Sequence, residues 1–278
     1  MKRVGVIYHP KIPLAKALSE RLAEVLPAMT ASVWTCSSWD EEYMSAHCQG
    51  SDLAFSVGGD GTILRVARAM AVWGIPIVGV NMGHLGFMTE FSADEVLEKL
   101  PGILGGEGWV DQRCMLQIDL LRQVKGGDRR DGTSHALNDA LVARGSVPRV
   151  INVTTTVNGV ALSNYKVDGV IVSTATGSTG YSLAAGGPIL YPQAEEILIK
   201  PVAAHLSLPY ALVLPPSAEV KMVVHTNHEA VLSIDGQVNV PLKDGDTVIA
   251  KRSPHFARFL RKSPRDHFYA ALEQRLRK

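Results

Sequence analysis

The sequence predicts an α/β domain followed by an all-β domain. The first hundred residues alternate apolar, strand-like runs with helical patterns, which is typical of a parallel sheet covered by helices. From about residue 110 to 250 the chain instead shows short alternating strands with Asn-Gly and Asp-Gly turns, which favour antiparallel sheets. The 278 residues are 46% apolar and 20% charged, enough to bury one large core or two modest ones.

The first part of the chain is predicted to form a parallel sheet with crossover helices. The run "DLAFSV" is continuously apolar, as expected for a strand buried on both faces. Prolines flank the first helical pattern, and Gly74 is suited to end the second. The predicted elements are, in chain order, strand 3–9, helix 14–26, strands 31–36 and 52–57, helix 62–73 and strand 75–80. Ligands of such sheets bind beyond the carboxyl ends of the strands.

A domain boundary is predicted near residue 105, where a helical segment reaches Pro101 and a Gly105–Gly106 pair. The α/β domain would span 1–105 and the β-rich domain 106–251, with 252–278 packing back on the first domain. A final amphipathic helix is predicted over 264–278. Predicted β-domain strands are 114–124, 150–162, 167–174, 210–216, 218–226, 230–238 and 246–253, with a turn at 125–132. We expect the chemistry in the cleft between the domains.

Composition narrows the class of protein. The net charge of +1 argues against a dedicated nucleic-acid binder and gives no reason to expect a membrane partner. The first ten residues resemble a strand more than a signal peptide, and the longest weakly charged run is too short to span a bilayer. Three cysteines without CxxC spacing indicate reduced thiols, so we expect a cytoplasmic protein.

The segment "GGDGT" at residues 58–62 is the first candidate site, because it joins an apolar strand to a helix. Glycines there would let a phosphate chain approach the backbone at the helix N-terminus, where anions bind well. Asp60 would repel a phosphate, so its carboxylate suggests binding of Mg²⁺ or acceptance of a proton from an attacking hydroxyl. The chain contains neither a P-loop nor the dinucleotide-binding fingerprint. An ordinary tight turn is the alternative.

Two further segments have polar residues in apolar surroundings. The loop within 167–189 combines small hydroxyl residues and glycines with Tyr181, which could stack on a flat ring; its alternative is a flexible turn. Its hydroxyl residues are Thr174, Thr176, Ser178, Thr179 and Ser182. The adjacent Asn138 and Asp139 would need partners if buried, and could bind ribose hydroxyls or a base amino group. A helix cap or a satisfied turn is the alternative there.

Taken together, these segments resemble the NAD kinase family over nearly the whole chain. The markers occur in the family's order, as "GGDGT" (58–62), "VNMGHLGF" (80–87), the Asn-acidic pair (138–139), "DGVIVSTATGSTGYSLAAGGPI" (168–189), "PVAAHLSLP" (201–209) and "SIDGQ" (233–237). The first marker is shared with diacylglycerol and sphingosine kinases, whereas the long fourth marker is much more specific. The resemblance implies a Rossmann-like, diacylglycerol-kinase-type α/β domain followed by a β-sandwich.

The resemblance also implies a role for each matching residue. Asp60 would be the catalytic carboxylate facing the 2′-hydroxyl of the adenosine ribose of NAD, and Arg65 would reach substrate or phosphate. The phosphate-side loop would comprise Gly58, Gly59, Gly61 and Thr62. The NAD contacts would be Asn138 and Asp139 for the adenosine half, Asp168 for the nicotinamide half, Thr179, Gly180, Tyr181, Ser182, Leu183 and Ala184 for adenine and ribose, and Arg149, Lys166 and Gln237 as further contacts.

The implied reaction uses ATP or polyphosphate as phosphoryl donor to NAD. Mg²⁺ would arrive on the donor phosphates, so no metal site made by the protein is expected. A homodimer or homotetramer is also implied. The chain departs from the family pattern at Asp139, where many members have Glu, at Gly180, where many have Ala, and at His9, where Asn is frequent.

Three other classes of protein share some of these features. A lipid kinase would need an apolar channel, and the hydroxyl-rich loop argues against one. A non-catalytic dinucleotide-binding regulator would have no need of an intact Asp60. A Rossmann dehydrogenase would carry a fingerprint that this chain lacks.

Overall fold

The protein is described by a computed structural model that covers residues 2–83, 86–125, 127–205 and 209–276. Backbone contacts divide the chain into two compact units. The first comprises Met1–Gln112 and Phe256–Lys278, and the second comprises Arg113–His255. Parts of two sequence markers, 84–85 and 206–208, lie outside the described residues.

The first unit contains most of the helices. Its elements are β1 (Arg3–Tyr8), α1 (Pro13–Val25), β2 (Ser32–Ser37), α2 (Glu41–Cys48), β3 (Leu53–Val57), α3 (Asp60–Met70), β4 (Pro76–Asn81), β5 (Phe91–Ser92) and α4 (Ala93–Gly105).

The second unit consists almost entirely of strands. These are β6 (Trp109–Val124), β7 (Gly127–Ala136), β8 (Asp139–Arg144), β9 (Ile151–Val157), β10 (Val160–Val167), β11 (Gly169–Ser173), β12 (Ile197–Val202), β13 (Leu212–Leu214), β14 (Glu219–His225), β15 (Ala230–Ile234), β16 (Val238–Leu242) and β17 (Thr247–Arg261). A short helix, α5 (Tyr181–Ala184), follows β11, and α6 (His267–Leu276) lies in the first unit. The first residues of β6 and the last of β17 also belong to the first unit.

The sheet of the first unit is parallel, in the order β17–β4–β3–β1–β2, with β5 beside β4. All five residues of β3 are buried, which explains its continuous apolar sequence. Val6, Phe55 and Val80 from three neighbouring strands share one core cluster with Leu22 of α1. The chain passes from the carboxyl end of β3 through two glycines directly into α3, so the 58–62 loop lies at a strand end, as predicted.

Two helices differ from the sequence prediction. Helix α2 was not predicted because it buries only Met44 and Cys48 and so has little helical periodicity; its start is fixed by Asp40, whose carboxylate accepts the Tyr43 N–H at 3.0 Å. Helix α4 continues through Pro101 to Gly105. Burial of Leu100 and Ile103 on either side of the proline keeps this last turn helical against its intrinsic cost.

The second unit is a sandwich of two antiparallel sheets. One has the order β10–β9–β14–β17, with β6 paired to β17 and β7; the other has the order β13–β12–β11–β8–β15–β16. Val153 and Met222 of the first sheet share a core cluster with Val172 and Ile199 of the second. The α/β plus β-sandwich fold class is therefore confirmed.

Strands β7, β8 and β12 of this unit were missed in the sequence, and β16 was predicted only at its first residue, Val238. The segment predicted as a turn at 125–132 mostly belongs to β7, whose first seven residues are exposed and therefore show no apolar alternation. Strands β8 and β12 are short and apolar, and periodicity alone does not identify such runs. Among the described helices, none combines the length and the apolar character needed to cross a membrane.

Candidate active site

Gly58 and Gly59 make the connection between β3 and α3. The N–H of Gly58 donates to the Val80 carbonyl at 2.9 Å, and the Gly59 carbonyl accepts the first helical bond, from the Thr62 N–H, at 2.9 Å. A Cβ atom at Gly58 would collide with the Thr62 hydroxyl and would lie 3.2 Å from the His9 Cβ. Close packing therefore requires glycine at position 58.

Packing does not require glycine at position 59. A Cβ atom there would meet nothing within 4 Å, and its backbone is extended, with φ −102°, a conformation open to any residue. It is the N-cap of α3, and no described side chain makes a capping bond there. Space is thus open in front of a helix N-terminus, which is a favourable place for an anion.

The carboxylate of Asp60 is held by two backbone amides. The N–H of Phe87 donates to Oδ2 at 2.8 Å and the N–H of Met88 donates to Oδ1 at 3.1 Å. Gly86 lies so close that a Cβ atom would collide with the carboxylate. An ionised carboxylate offers about four lone-pair sites, so the two amides leave acceptor capacity for a further donor. Gly86 and Phe87 lie in the 80–87 marker, but nothing in the sequence predicts a role for them or for Met88.

Arg65 lies on α3 and shares an acidic partner with Arg68. Glu41 Oε1 of α2 is 3.2 Å from Arg65 Nη1 and 2.6 Å from Arg68 Nη2. Two guanidinium groups on one carboxylate leave a net positive charge beside the helix. That Arg65 reaches a phosphate stays a prediction.

In the second unit, Asp235 organises the segment around the Asn-acidic pair. Its carboxylate accepts backbone N–H bonds from Leu137 at 3.0 Å, Asn138 at 2.7 Å and Asp139 at 3.2 Å. The N–H of Asp235 donates in turn to the Asp139 carbonyl at 2.9 Å. Asp235 has φ +52°, in the left-handed region. Asp235 lies within the marker "SIDGQ", but the sequence alone does not predict this role for it.

The Asn138 side chain does not act as a cap in the described structure. Its Oδ1 is buried and has no hydrogen-bond partner among the described residues. A buried carbonyl oxygen without a donor is unfavourable, so a ligand that supplies an N–H or O–H would relieve the cost. This favours the ligand-binding interpretation of the pair over the cap.

Asp139 is the first residue of β8 and is buried. Burial, reinforced by the negative charge of Asp235, raises the pKa of the Asp139 carboxyl from its ordinary value of 3.8 to about 7. Near neutral pH the carboxyl is therefore populated in both its protonated and its ionised form, so it can donate as well as accept a hydrogen bond.

The hydroxyl-rich loop after β11 is built largely by its own hydroxyl groups. Thr174 Oγ1 donates to the Leu137 carbonyl at 2.6 Å and accepts the Gly177 N–H at 3.0 Å, while Ser178 Oγ donates to the Ala175 carbonyl at 2.6 Å. The hydroxyl groups of Thr174 and Ser178 therefore fix the conformation of the loop. Consequently the loop is not a flexible turn.

This loop and the Asn-acidic pair lie together, although they are about 40 residues apart in the chain. The Thr174 N–H donates to the Asn138 carbonyl at 2.9 Å, and Ser173 Oγ is 3.1 Å from the same carbonyl. The Ser182 hydroxyl is buried and has no partner among the described residues, whereas Tyr181 is 47% exposed. Two neighbouring residues of this loop thus carry a buried hydroxyl group and an exposed aromatic ring.

Comparison with known proteins assigns the family. Residues 4–108 match the family model for the ATP-NAD kinase N-terminal domain, and residues 137–262 match that for the ATP-NAD kinase C-terminal domain. The chain belongs to the NAD kinase family.

Relatives within this family span nearly the whole chain. An NAD kinase of Dehalococcoides mccartyi (strain CBDB1) is 43% identical over 276 residues, which cover 99% of this chain and 96% of the relative. An NAD kinase of Chloroflexus aurantiacus (strain J-10-fl) is 39% identical over 282 residues, which cover 100% of this chain and 99% of the relative.

Two solved structures are similar to this chain. The NAD kinase from Archaeoglobus fulgidus in complex with ATP is 25% identical, with a TM-score of 0.74 over 98% of this chain and 97% of the other. Yeast NADH kinase complexed with NADH is 22% identical and has the same fold. Its TM-score is 0.80, over 99% of this chain and 87% of the yeast chain.

The remaining residues implied by the NAD kinase resemblance lie elsewhere in the second unit. Asp168 precedes β11, so it lies at the opposite end of that strand from Thr174, roughly 20 Å away by strand rise. Its Oδ1 is 3.0 Å from Nε of Arg144, a residue that sequence reasoning missed.

The other contacts implied by the resemblance lie at several places in the second unit. Arg149 and Lys166 are exposed, and Gln237 follows Asp235 in the turn between β15 and β16, with its N–H bonded to the Ile234 carbonyl. Thr179 and Gly180 lie directly before α5, and Leu183 and Ala184 lie within it. No described group of three or more His, Cys, Asp or Glu side chains could hold a metal ion.

Proposed function

We propose that this protein is an NAD kinase that transfers the γ-phosphoryl group of ATP to the 2′-hydroxyl of the adenosine ribose of NAD. The observation that carries the proposal is the placement of Asp60: a carboxylate fixed by two amides beside the open Gly59 position at a helix N-terminus. Family membership over the whole chain supports it. The protein is a phosphotransferase.

In the proposed reaction the ribose oxygen attacks the γ-phosphorus while the bond to the bridging oxygen of ATP breaks, and ADP leaves. Asp60 accepts the hydroxyl proton, a role typically worth about 10²–10⁴ in rate. The open position at Gly59 lets donor phosphates approach the amide end of α3. Such transfer depends mainly on positioning and charge stabilisation.

The second unit is proposed to bind NAD. The partnerless Oδ1 of Asn138 would accept a bond from the adenosine half, and Asp139 would donate or accept one beside it. Tyr181 would stack on a ring of the ligand. The positions of Arg149, Lys166, Asp168 and Gln237 remain proposals for further NAD contacts.

The divalent cation is proposed to arrive bound to the phosphates of the donor substrate, as Mg·ATP. When bound to the phosphates, Mg²⁺ neutralises their charge. The ATP complex of the Archaeoglobus fulgidus relative supports ATP as donor. Polyphosphate is the second donor to test.

The test is an assay of the purified full chain with NAD, MgCl₂ and either ATP or polyphosphate. The expected product is NADP, detected by an NADP-specific dehydrogenase, with the new phosphate assigned to the 2′ position by ³¹P NMR. Absence of NADP above the no-enzyme level with both donors would contradict the proposal. Phosphorylation of diacylglycerol instead would favour a lipid kinase.

We further propose a homodimer or homotetramer in the cytoplasm. The cytoplasmic location is supported by the three cysteines, which are all free and buried, as suits a reducing compartment.

The assembly is supported by two exposed strand edges. Val160 on edge strand β10 is 71% exposed and Val213 on edge strand β13 is 51% exposed, and exposed strand edges are commonly covered in assemblies. Light scattering at micromolar concentration should give at least twice the chain mass of 30.0 kDa; a monomer would contradict the assembly.

A further inference from the structure

A buried ion cluster lies in the first unit, near the end of β17. Arg261 Nε is 3.1 Å from Asp111 Oδ2, and its Nη1 is 3.4 Å from Glu90 Oε2. The side chains of Arg261, Asp111 and Glu90 are only 7%, 2% and 6% exposed. Taking three charges out of water is costly, and an apolar cluster of similar volume is often at least as stable. Stability alone therefore explains the cluster poorly.

The same guanidinium reaches the segment that holds Asp60. Nη1 of Arg261 donates to the Met88 carbonyl at 2.7 Å, and the Met88 N–H donates to Asp60 Oδ1 at 3.1 Å. Arg261 and Asp60 are thus linked through the backbone of one residue. The two are 201 positions apart in the sequence, so nothing local connects them.

Glu90 fixes the other end of this segment. Its Oε1 accepts the N–H groups of Lys262 at 2.9 Å and Ser263 at 2.6 Å, and its own N–H donates to the Gly79 carbonyl of β4 at 2.9 Å. The segment is therefore tied both to the sheet and to the chain that follows β17. The Phe87 and Met88 amides have little freedom to move relative to α3.

We infer that Arg261 is a positioning residue for the reaction: through the Met88 carbonyl it holds the two amides that orient the Asp60 carboxylate. This inference rests on the proposed role of Asp60. If the carboxylate is held less firmly, it is less often in position to accept the proton of the ribose hydroxyl. Even a small displacement of a catalytic group lowers the reaction rate strongly. NAD binding should be little affected, because no NAD contact is assigned to this cluster.

The test is a double-mutant cycle on Arg261 and Asp60, assayed by NADP formation. Arg261→Met should lower kcat about tenfold or more, with KM for NAD within about threefold, and Arg261→Lys should recover part of the loss. In the Asp60→Asn background, Arg261→Met should have almost no further effect on kcat, because the group that it positions is already inactive.

The matched control is Arg258→Met. Arg258 lies on the same strand and also donates to a backbone carbonyl, that of Gly74 at 3.1 Å, which belongs to a different segment. Its loss should leave kcat within about twofold of wild type. Circular dichroism and thermal unfolding check folding; if Arg261→Met does not fold, the cycle is made with Arg261→Lys.

The positioning role of Arg261 would be overturned by either of two results. One is full additivity of the effects of the two substitutions on kcat, and the other is a rise in KM for NAD with kcat unchanged. An Asp60→Asn enzyme with near-normal turnover would instead overturn the proposed function of Asp60, independently of Arg261.

Discussion

At the scale of single residues, Gly58 and Gly59 are adjacent but have different reasons to be glycine. Gly58 is enclosed by Thr62 and His9, whereas Gly59 faces open space with an ordinary backbone. Serine is a preferred N-cap residue, so folding alone would favour it at position 59. The absence of a side chain there points to a ligand that needs the space.

Gly59→Ser is therefore expected to leave the free energy of unfolding unchanged or slightly raised. Its hydroxyl would occupy the space in front of α3 and compete for the helix amides, so KM for ATP should rise about tenfold. Steady-state kinetics and urea unfolding measure both effects. Gly58→Ser is the control and should lose stability instead. An unchanged KM for ATP in Gly59→Ser would contradict the role of Gly59.

The raised pKa of Asp139 predicts a pH dependence of stability. The folded carboxyl holds its proton up to about pH 7, whereas the unfolded one releases it near pH 4. Between these values the unfolded state binds fewer protons, so the free energy of unfolding falls as the pH rises through this window.

Asp139→Asn cannot ionise and should remove this fall. Urea unfolding of both proteins at pH 4.5 and pH 8 measures it: the variant should gain stability relative to wild type at the higher pH. A difference between the two proteins that is the same at both pH values would show that the Asp139 pKa is not raised.

At the scale of elements, the loop after β11 shows how hydroxyl groups can replace regular secondary structure. The fully buried Thr174 hydroxyl donates to the carbonyl of Leu137, which lies between β7 and β8, and accepts the N–H of Gly177 within the loop itself. The loop thereby keeps the Asn138 side chain next to Gly180, where a Cβ atom would lie 3.7 Å from Asn138 Nδ2.

Thr174→Val keeps the shape of this side chain but leaves the Leu137 carbonyl and the Gly177 N–H unpaired. Each buried unpaired group costs about 1–3 kcal/mol, so the free energy of unfolding should fall by about 2–6 kcal/mol. Thr62→Val is the matched control, because the Thr62 hydroxyl is buried without a partner among the described residues and its loss should not destabilise. Equal effects of the two substitutions in urea unfolding would refute this account of the loop.

At the scale of the whole molecule, hydrophobic periodicity predicted the α/β domain and the all-β domain, because it is a local signal, whereas the β-sandwich was implied by the family resemblance. Motifs likewise indicated Asp60 and Asn138 as candidate site residues. The bonds that Phe87 and Met88 donate to Asp60, and that the Asn138 N–H donates to Asp235, could not be predicted. They join distant segments through backbone amides, which any residue type provides. Helix α2 was missed for a related reason: packing and a cap maintain it, with little periodicity.

The measurement that tests the central claim most directly is kcat of Asp60→Asn at saturating NAD and Mg·ATP. The amide side chain keeps one oxygen, which can accept the N–H of only one of Phe87 and Met88 in place, and it cannot accept the ribose proton. The account predicts that NADP formation falls about 100-fold or more, while the Kd for NAD measured by calorimetry stays within a few-fold of wild type. Turnover close to that of wild type would contradict it.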